Sequence, residues 1–435
     1  MRFARIVICS SLLSSPALVC AQSAASNDSA EMIRALLARV EQLEKRVAEL
    51  EGRPGPSASA PPAPSEPVAA PVVAPPAPEV ATVPAAAGPQ IHGGHMGMPL
   101  GMPLGMPATH IAGFSDFDFG ATDQHGAKSG FSEGQFVLHL NSALSSKVSF
   151  FGEISLTARR DAGTGTPPAT GFNVEVERSI IRFEQNDYFK VSFGRYHTPI
   201  NYWNMTFHHG QWLQTTANRP EMVQFGGSFL PIHFVGALVE GAFPAGGVNL
   251  NYNFGVGNGR SSVISKSGDW GDVNNNRAWL ATVFTRPNHP YGLQVGASVY
   301  RDLITPIDAI PVREWIQSAH IVWTKENPEI IAEFANVAHQ QVGTGLQSNS
   351  QAWYVQTAYR LPWFEKLWKP YYRFEYIHIP GSDQLFRLVP SLAGSTVGVR
   401  YDISSFAALK FEYRNLRRPG EPRINGAFAQ TSFTF

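Results

Sequence analysis

The stretch GVNLNYNFGV, residues 247–256, decides the fold because its residue types alternate at every second position. In an extended strand, successive side chains point to opposite faces, so this stretch has one apolar face and one polar face. The apolar set is Val248, Leu250, Tyr252 and Phe254, and the polar set is Asn249, Asn251 and Asn253. Such a strand separates an apolar environment from an aqueous one.

The same alternation recurs in segments of roughly ten residues from His110 to the end of the chain. Short turns at 185–187, 244–247, 287–290 and 325–328 alternate with long polar connections, an asymmetry typical of transmembrane β-barrels. A soluble β-sandwich is the alternative, but it would not place Phe, Tyr and Trp so often at outward positions. The predicted segments start near His110, Gln135, Lys147, Val174, Phe189, Ile232, Gly247, Arg277, Tyr291, Arg313, Pro328, Gln351, Lys369, Ser395, Phe406 and Gly426. We therefore predict an all-β fold, a transmembrane antiparallel β-barrel of about 16 strands over 110–435.

Composition argues against a transmembrane helix bundle and against a nucleic-acid-binding protein. Only 16% of the 435 residues are charged, yet beyond the N-terminus there is no apolar run of the roughly 18 residues that a transmembrane helix needs. The 34 basic and 34 acidic side chains balance, so the chain lacks the positive charge expected of a nucleic-acid partner.

The N-terminus has the pattern of a secretory signal peptide, residues 1–21. Arg2 and Arg5 precede the apolar stretch 6–19, and Ala21 completes a cleavage site. A lipoprotein anchored at Cys20 is the alternative, which Val19 fits poorly. Cleavage after Ala21 would remove both cysteines of the sequence, which would exclude disulfides from the mature chain.

Residues 22–52 follow a heptad pattern and predict a short α-helical coiled coil before the barrel. Parallel chains would place Arg39 beside Glu44 and Arg46 beside Glu51, which indicates self-association; a single solvated helix is the alternative. The apolar seam consists of Ile33, Leu36, Val40, Leu43, Val47 and Leu50. Residues 53–109 are rich in Pro and Ala and predict a semi-rigid linker.

The end of this linker carries the sequence HGGHMGMPLGMPLGMP, residues 92–107. Imidazole and thioether groups are ligands for copper, so His92, His95, Met96 and Met98 are weak candidates for a metal site. A low-complexity continuation of the linker explains the same residues without a metal.

The last nine residues, AFAQTSFTF at 427–435, resemble the C-terminal strand of Gram-negative outer-membrane proteins through Phe433 and Phe435. The order of signal peptide, coiled coil and barrel resembles the phosphate-selective porin-like group, and the coiled coil is also similar to that of sucrose-type sugar porins. The resemblance implies an outer-membrane channel for passive diffusion of small hydrophilic solutes or ions, with its coiled coil in the periplasm. It further implies a homotrimer in outer-membrane lipid, with no cofactor and no enzymatic activity.

In such porins the third external loop folds into the barrel, and here the connection 195–231 is long and rich in aromatic residues. The resemblance makes Arg195, Arg219 and Glu221 candidates for a pore constriction. An external loop that contacts a neighbouring subunit is the alternative. The candidates for lining the lumen are Lys190, Arg360, Arg373, Glu375, Arg400, Lys410 and Arg414. From His110 onward 27 basic and 26 acidic residues nearly cancel, which argues against strong anion selectivity.

Three other functions stay open at this stage. The coiled coil and linker could tether the barrel to the cell wall, or the channel could be specific for sugars. A hydrolase would need a nucleophile beside His208 or His209, but the sequence has no nucleophile elbow and no zinc-binding helix motif.

Overall fold

The computed structural model describes residues 45, 107–159, 171–224, 228–307 and 309–435. The predicted signal peptide, the coiled coil except for the helical Lys45, and the linker with its histidine and methionine candidates up to residue 106 lie outside the described residues. Of the helices within the described residues, none is both long enough and apolar enough to cross a membrane.

The described residues form sixteen strands that close into an antiparallel barrel. The first eight strands are β1 (Thr109–Thr122), β2 (Gly130–Ala143), β3 (Val148–Ala158), β4 (Phe172–Asn186), β5 (Phe189–His197), β6 (His233–Phe243), β7 (Leu250–Asn258) and β8 (Ala278–Thr285). The second eight are β9 (Leu293–Ile304), β10 (Val312–Trp323), β11 (Glu329–Gln341), β12 (Gln347–Ala358), β13 (Trp368–His378), β14 (Leu392–Ser404), β15 (Ala407–Arg417) and β16 (Ile424–Thr434).

The barrel closes where β1 pairs with β16, in a register that runs from Phe114 opposite Thr434 to Thr122 opposite Gly426. Gly113 extends this seam, because its N–H donates to the carbonyl of Phe435 at 2.9 Å. A Cβ at Gly113 would lie 2.4 Å from the ring of Phe435, so the seam requires glycine there. The C-terminal residue is thereby fixed against the first strand, which leaves no open sheet edge.

The sequence-based segmentation is confirmed, since each of the sixteen predicted starts lies within a few residues of a strand start. The stretch 247–256 differs in one detail, because β7 begins at Leu250 and not at Gly247. Asn249 has φ 51° and Gly247 has φ 91°, so the backbone is still turning where the alternating pattern has already begun. Leu250 and Phe254 are exposed on the outer face and Asn253 is buried inside, as the alternation predicts.

The two faces of the wall differ in character. Along β10, exposed and buried residues alternate at nearly every position, with Trp315 and Ile321 outside and Glu314 and His320 inside. An apolar outer face and a polar inner face are what a barrel in lipid requires.

The connections differ in length at the two ends of the barrel. At one end, which we call the short-turn end, the strands are joined by brief turns such as 187–188 and 405–406. The opposite end, the long-loop end, has longer connections such as 259–277 and 379–391. The longest of these, residues 198–232, joins β5 to β6 and contains the helix α1 (Tyr202–Thr206).

Candidate functional site: the loop across the lumen

Residues 198–224 and 228–232, called here the inner loop, fold into the barrel, as the sequence predicts for an aromatic-rich loop. Trp203 is 1% exposed, and Tyr202 and Phe207 are also buried. The rings of Trp203 and Tyr354 of β12 lie 6.1 Å apart, edge to face, which brings the loop to strands far along the barrel from its own β5 and β6. Burying these rings in the lumen removes them from water, so the hydrophobic effect favours the inward position of the loop.

Acidic side chains of the distant strands accept hydrogen bonds from backbone amides of the inner loop. Glu333 of β11 accepts from the N–H groups of Tyr202 and Trp203, the latter at 2.9 Å. Glu412 of β15 accepts from the N–H of Ala217 at 3.1 Å and from the N–H of Asn218 at 3.2 Å. Buried backbone amides without an acceptor are unfavourable. These carboxylates accept from loop amides that have no acceptor within the loop's own turns, and so they stabilise the loop.

Glu375 of β13 acts in the same way, because its Oε2 accepts from the N–H of Glu221 at 2.6 Å. The side chain of Glu221 in turn accepts from Nη2 of Arg414 at 2.6 Å. Two carboxylates and one guanidinium therefore hold a single turn of the inner loop against the wall, in charge-assisted hydrogen bonds.

Basic side chains of the same wall donate to backbone carbonyls of the inner loop. Arg373 is fully buried and donates to the carbonyls of Asn218 at 2.9 Å and Arg219 at 3.2 Å. Arg400 donates to the carbonyls of Trp212 at 2.7 Å and Gln214 at 2.9 Å. These side chains were expected to line the lumen, and they point inward, where they fix the inner loop.

Lys410 of β15 completes this set. Its ammonium group donates to the carbonyls of Gln211 and Thr216 and, at 2.9 Å, to the side chain of Gln430. Lys410 is fully buried, so its charge faces the loop and the wall and not open solvent.

The long-loop end adds further contacts to the inner loop. Arg260, in the connection between β7 and β8, pairs with Glu314 at 3.0 Å and donates to the carbonyl of Phe229 at 2.7 Å. Phe386, in the connection between β13 and β14, stacks on Phe229 with ring centroids 5.4 Å apart. The polar connection 259–277 therefore contributes a buried arginine to the lumen.

The structure places the three constriction candidates in different surroundings. Arg195 of β5 pairs with Glu175 at 3.0 Å and Asp269 at 2.9 Å. Arg219 is buried within the inner loop and donates to the carbonyl of His208 at 2.9 Å. Burial lowers the pKa of Arg219 to about 9, against the attraction of Asp116 and Glu177. Glu221 is partly exposed and pairs with Arg414 of β15. It is therefore the constriction candidate that is bound to the wall opposite β5.

Two lining candidates lie near the short-turn end. Lys190 pairs with Glu184 at 2.7 Å. Arg360 pairs with Asp402 at 2.5 Å and also with Glu326. Burial acts to raise the pKa of Glu326, but Lys369 and Arg360 outweigh it and bring that pKa down to about 2.

A cavity of about 630 Å³, called here the vestibule, lies between the inner loop and the short-turn end. Tyr202, Met205 and Thr206 of the inner loop bound it on one side. Its wall includes an ion pair between Arg182 and Glu240 at 2.9 Å. The wall also includes Asn251, Asn253, Arg286 and Gln294, and Arg286 donates to Gln294 at 2.8 Å. The vestibule is thus a polar, water-compatible space that ends at the inner loop.

Five residues at the other side of the inner loop form a compact cluster, called here the histidine cluster: Glu177, His197, His208, His209 and His233. One nitrogen or oxygen atom from each lies within 4.8 Å of the corresponding atom of every other. Sequence reasoning considered only His208 and His209, as a hydrolase base. It missed the cluster because the residues come from β4, β5, the inner loop and β6, and no fixed spacing unites them.

Gly210 shapes the loop beside this cluster. Its φ of 88° is in the left-handed region, which turns the chain directly after the two adjacent histidines. A Cβ there would lie 3.2 Å from the ring of Phe114 on β1. The sequence HHG therefore allows His208 and His209 to face β4–β6 while the next residues continue across the lumen.

Comparison with known proteins gives a likeness in fold. No protein-family model matches the chain, and no curated protein is similar to it in sequence. The anion-selective porin from Comamonas acidovorans superposes with a TM-score of 0.55 at 12% identity, over 76% of this chain and 100% of that porin. OmpT, an outer-membrane protein of Vibrio cholerae, gives a TM-score of 0.51 at 13% identity, over 75% and 97%. Its trimer form gives 0.50 at 13% identity, over 76% and 100%. The chain shares the barrel fold of these proteins.

Proposed function

We propose that this protein is an outer-membrane channel through which small hydrophilic solutes or ions diffuse passively, with the inner loop as its constriction. The observation that carries the proposal is a closed barrel whose lumen is polar and crossed by a loop that is bonded to the opposite wall. Such a lumen selects solutes by size and by the charges along the path. No chemical step is required of the chain.

The charges inside the barrel favour weak ion selectivity over strong preference for phosphate. The buried cations Arg373, Arg400 and Lys410 are committed to carbonyls of the inner loop. Arg182 and Lys190 near the vestibule are paired with carboxylates. Arg373 and Arg400 also lie beside carboxylates, Glu375 at 3.5 Å and Asp402 at 2.7 Å, and cations paired with carboxylates attract anions less than exposed, unpaired cations do. The solved porin from Comamonas acidovorans is described as anion-selective, and at 12% identity its selectivity does not transfer to this chain.

We further propose a homotrimer in the outer membrane, with the N-terminal coiled coil in the periplasm. The similar OmpT of Vibrio cholerae has been solved in a trimer form, and the heptads of residues 22–52 favour parallel association. Mass photometry in mild detergent tests this proposal, and a stable monomer at micromolar concentration would contradict it.

The channel function is tested by single-channel recording of the purified, refolded chain in planar bilayers. We expect discrete conductance steps and, across a salt gradient, a reversal potential close to zero, because inward cations and carboxylates largely cancel. A folded barrel that produces no steps would refute the channel. A large reversal potential would leave the channel standing and refute the weak selectivity.

A further inference from the structure

We propose that the histidine cluster binds one divalent transition-metal ion, of the Zn²⁺, Ni²⁺ or Cu²⁺ class, which fixes the inner loop to β4, β5 and β6. The ligands are Glu177, His197, His208, His209 and His233.

The ligand atoms of the cluster are close enough together to surround one ion. Imidazole nitrogens bind these ions at about 2.1 Å, so two ligands on opposite sides of one ion are at most about 4.2 Å apart. The five candidate atoms lie within 4.8 Å of one another, so side-chain movements of a few tenths of an ångström bring them around one centre. Nε2 of His233 lies 2.8 Å from Oε2 of Glu177, and Nε2 of His209 lies 3.3 Å from the same oxygen.

Three buried atoms of the cluster lack hydrogen-bond partners within the described part of the chain. Among the residues that the structure describes, Oε2 of Glu177, Nε2 of His197 and Nε2 of His233 have no hydrogen-bond partner. Nε2 of His233 lies 2.8 Å from Oε2 of Glu177, and Nε2 of His197 lies 3.3 Å from Oε2 of Glu153, in each case outside hydrogen-bond geometry. Buried polar atoms normally have partners, and a cation at the centre of the cluster would provide one for all three.

The histidine rings of the cluster pack edge to face. The ring centroids of His197 and His208 are 4.3 Å apart at an interplanar angle of 64°, and those of His208 and His209 are 4.4 Å apart at 83°. His233 lies 5.3 Å from His208 at 87°. The rings are inclined to one another and not stacked in parallel, and one nitrogen of each lies within 4.8 Å of the others.

Neighbouring side chains support the ligands from outside. Ser155 donates to Oε1 of Glu177 at 2.6 Å, which leaves Oε2 directed at the histidines. Nδ1 of His209 is hydrogen-bonded to the side chain of Gln135 at 3.3 Å, which orients its ring. Such outer contacts are the usual support of a metal site, because they fix ring orientation.

The chemistry of the ligand set identifies the class of ion. Four imidazoles and one carboxylate favour borderline transition ions over Mg²⁺ or Ca²⁺, which prefer oxygen ligands. The cluster has no thiolate or thioether to favour Cu⁺.

The position of the cluster indicates what the ion does. His197 and His233 are directly opposite each other in the pairing of β5 with β6, at the two ends of the inner loop. His208 and His209 lie in the middle of that loop. One ion would therefore join the start, the middle and the end of the loop to Glu177 of the neighbouring β4.

The test measures Zn²⁺ bound to the untagged, refolded full chain in which His92 and His95 are both replaced by alanine, so that metal at the N-terminal segment is not counted. We expect about one equivalent of Zn²⁺ per chain by elemental mass spectrometry after extensive dialysis. The double variant His208→Ala/His209→Ala is expected to lose at least about 90% of it. The matched double variant His110→Ala/His378→Ala, at two exposed histidines, is expected to keep it.

Two outcomes would overturn the proposal: a folded chain without bound Zn²⁺, or a folded His208→Ala/His209→Ala variant that keeps the full equivalent. Heat-modifiable migration in gels establishes that each variant is folded. If the double variant does not fold, Cu²⁺ replaces Zn²⁺ in the His92→Ala/His95→Ala chain and its electron paramagnetic resonance spectrum is recorded. Coupling to at least two imidazole nitrogens supports the site, and a spectrum of oxygen ligands alone refutes it.

Discussion

The inner loop meets the barrel on two sides, and the contacts on those sides are of different kinds. On the far side, charged side chains of β11 and β13–β15 bond to backbone amides and carbonyls of the loop. On the near side, the contacts with β4–β6 join side chain to side chain in the histidine cluster. On the far side, the partners of these backbone groups are charged side chains of the protein itself. The near side gathers ligands around one centre, an arrangement that suits a bound cation.

This difference predicts different consequences for the two sides. Charged side chains of four strands, β11, β13, β14 and β15, bond to buried backbone groups on the far side, so removing one of them is expected to weaken that side and not to release the loop. A metal centre depends on several ligands at once, so the near side is expected to fail when the ion is removed.

The largest effect is expected from deleting residues 202–212, which removes the aromatic part of the inner loop together with two ligands of the cluster. Single-channel conductance should rise severalfold, because the bulk that crosses the lumen is gone. The barrel strands are untouched, so heat-modifiable migration should persist. Unchanged conductance in a folded deletion variant would show that the loop does not limit the path.

A smaller effect is expected from Arg373→Met, which acts on the far side alone. The change removes donors to the carbonyls of Asn218 and Arg219, and each buried group left without a partner costs about 1–3 kcal/mol. We expect a lower thermal midpoint and more frequent current fluctuations, while Zn²⁺ content stays as in the parent chain. Arg417→Met, at an exposed position of β15, is the control and should change neither. Equal behaviour of the two variants would contradict the role of Arg373.

The smallest effect is expected from Arg286→Glu in the vestibule. Arg286 donates to the neutral side chain of Gln294, so the change mainly alters the fixed charge of the vestibule. The reversal potential should move toward cation preference with little change in conductance. Arg313→Glu carries the same charge change at an exposed position of β10 and should leave the reversal potential unaltered. A shift of equal size in both variants would mean that general surface charge governs selectivity.

The strands were predictable from sequence because one physical cause acts at every second residue. Lipid outside and water inside impose a period of two, and that period is present in each strand without reference to distant residues. The errors in strand bounds are at turns. At Asn249 the alternating residue types have already begun, but the backbone has positive φ and the strand starts only at Leu250.

The site was predictable only in part. The inward fold of the connection 195–231 was expected from its aromatic residues and from the resemblance to porins. The inward direction of Arg373, Arg400 and Lys410 follows from strand alternation. Their partners do not follow, because Glu412 and Asn218 are 194 positions apart and meet only when the loop crosses the lumen. Arg219 was expected to project into the solute path, but the structure buries its guanidinium against the carbonyl of His208 in its own loop.

The central claim, that the inner loop crosses the lumen to the far wall, is tested most directly by cross-linking in membranes. Cysteines replace Asn218 and Glu412 in a chain whose Cys9 and Cys20 are changed to serine, and a short bifunctional thiol reagent is added. Nδ2 of Asn218 lies 2.9 Å from Oε1 of Glu412, so we predict an efficient intrachain cross-link, detected by peptide mass spectrometry. The control pairs Asn218→Cys with Tyr413→Cys, the neighbouring position on the outer face of β15, and should not cross-link. Equal yields for the two pairs, or no cross-link to position 412 in a folded barrel, would contradict the account.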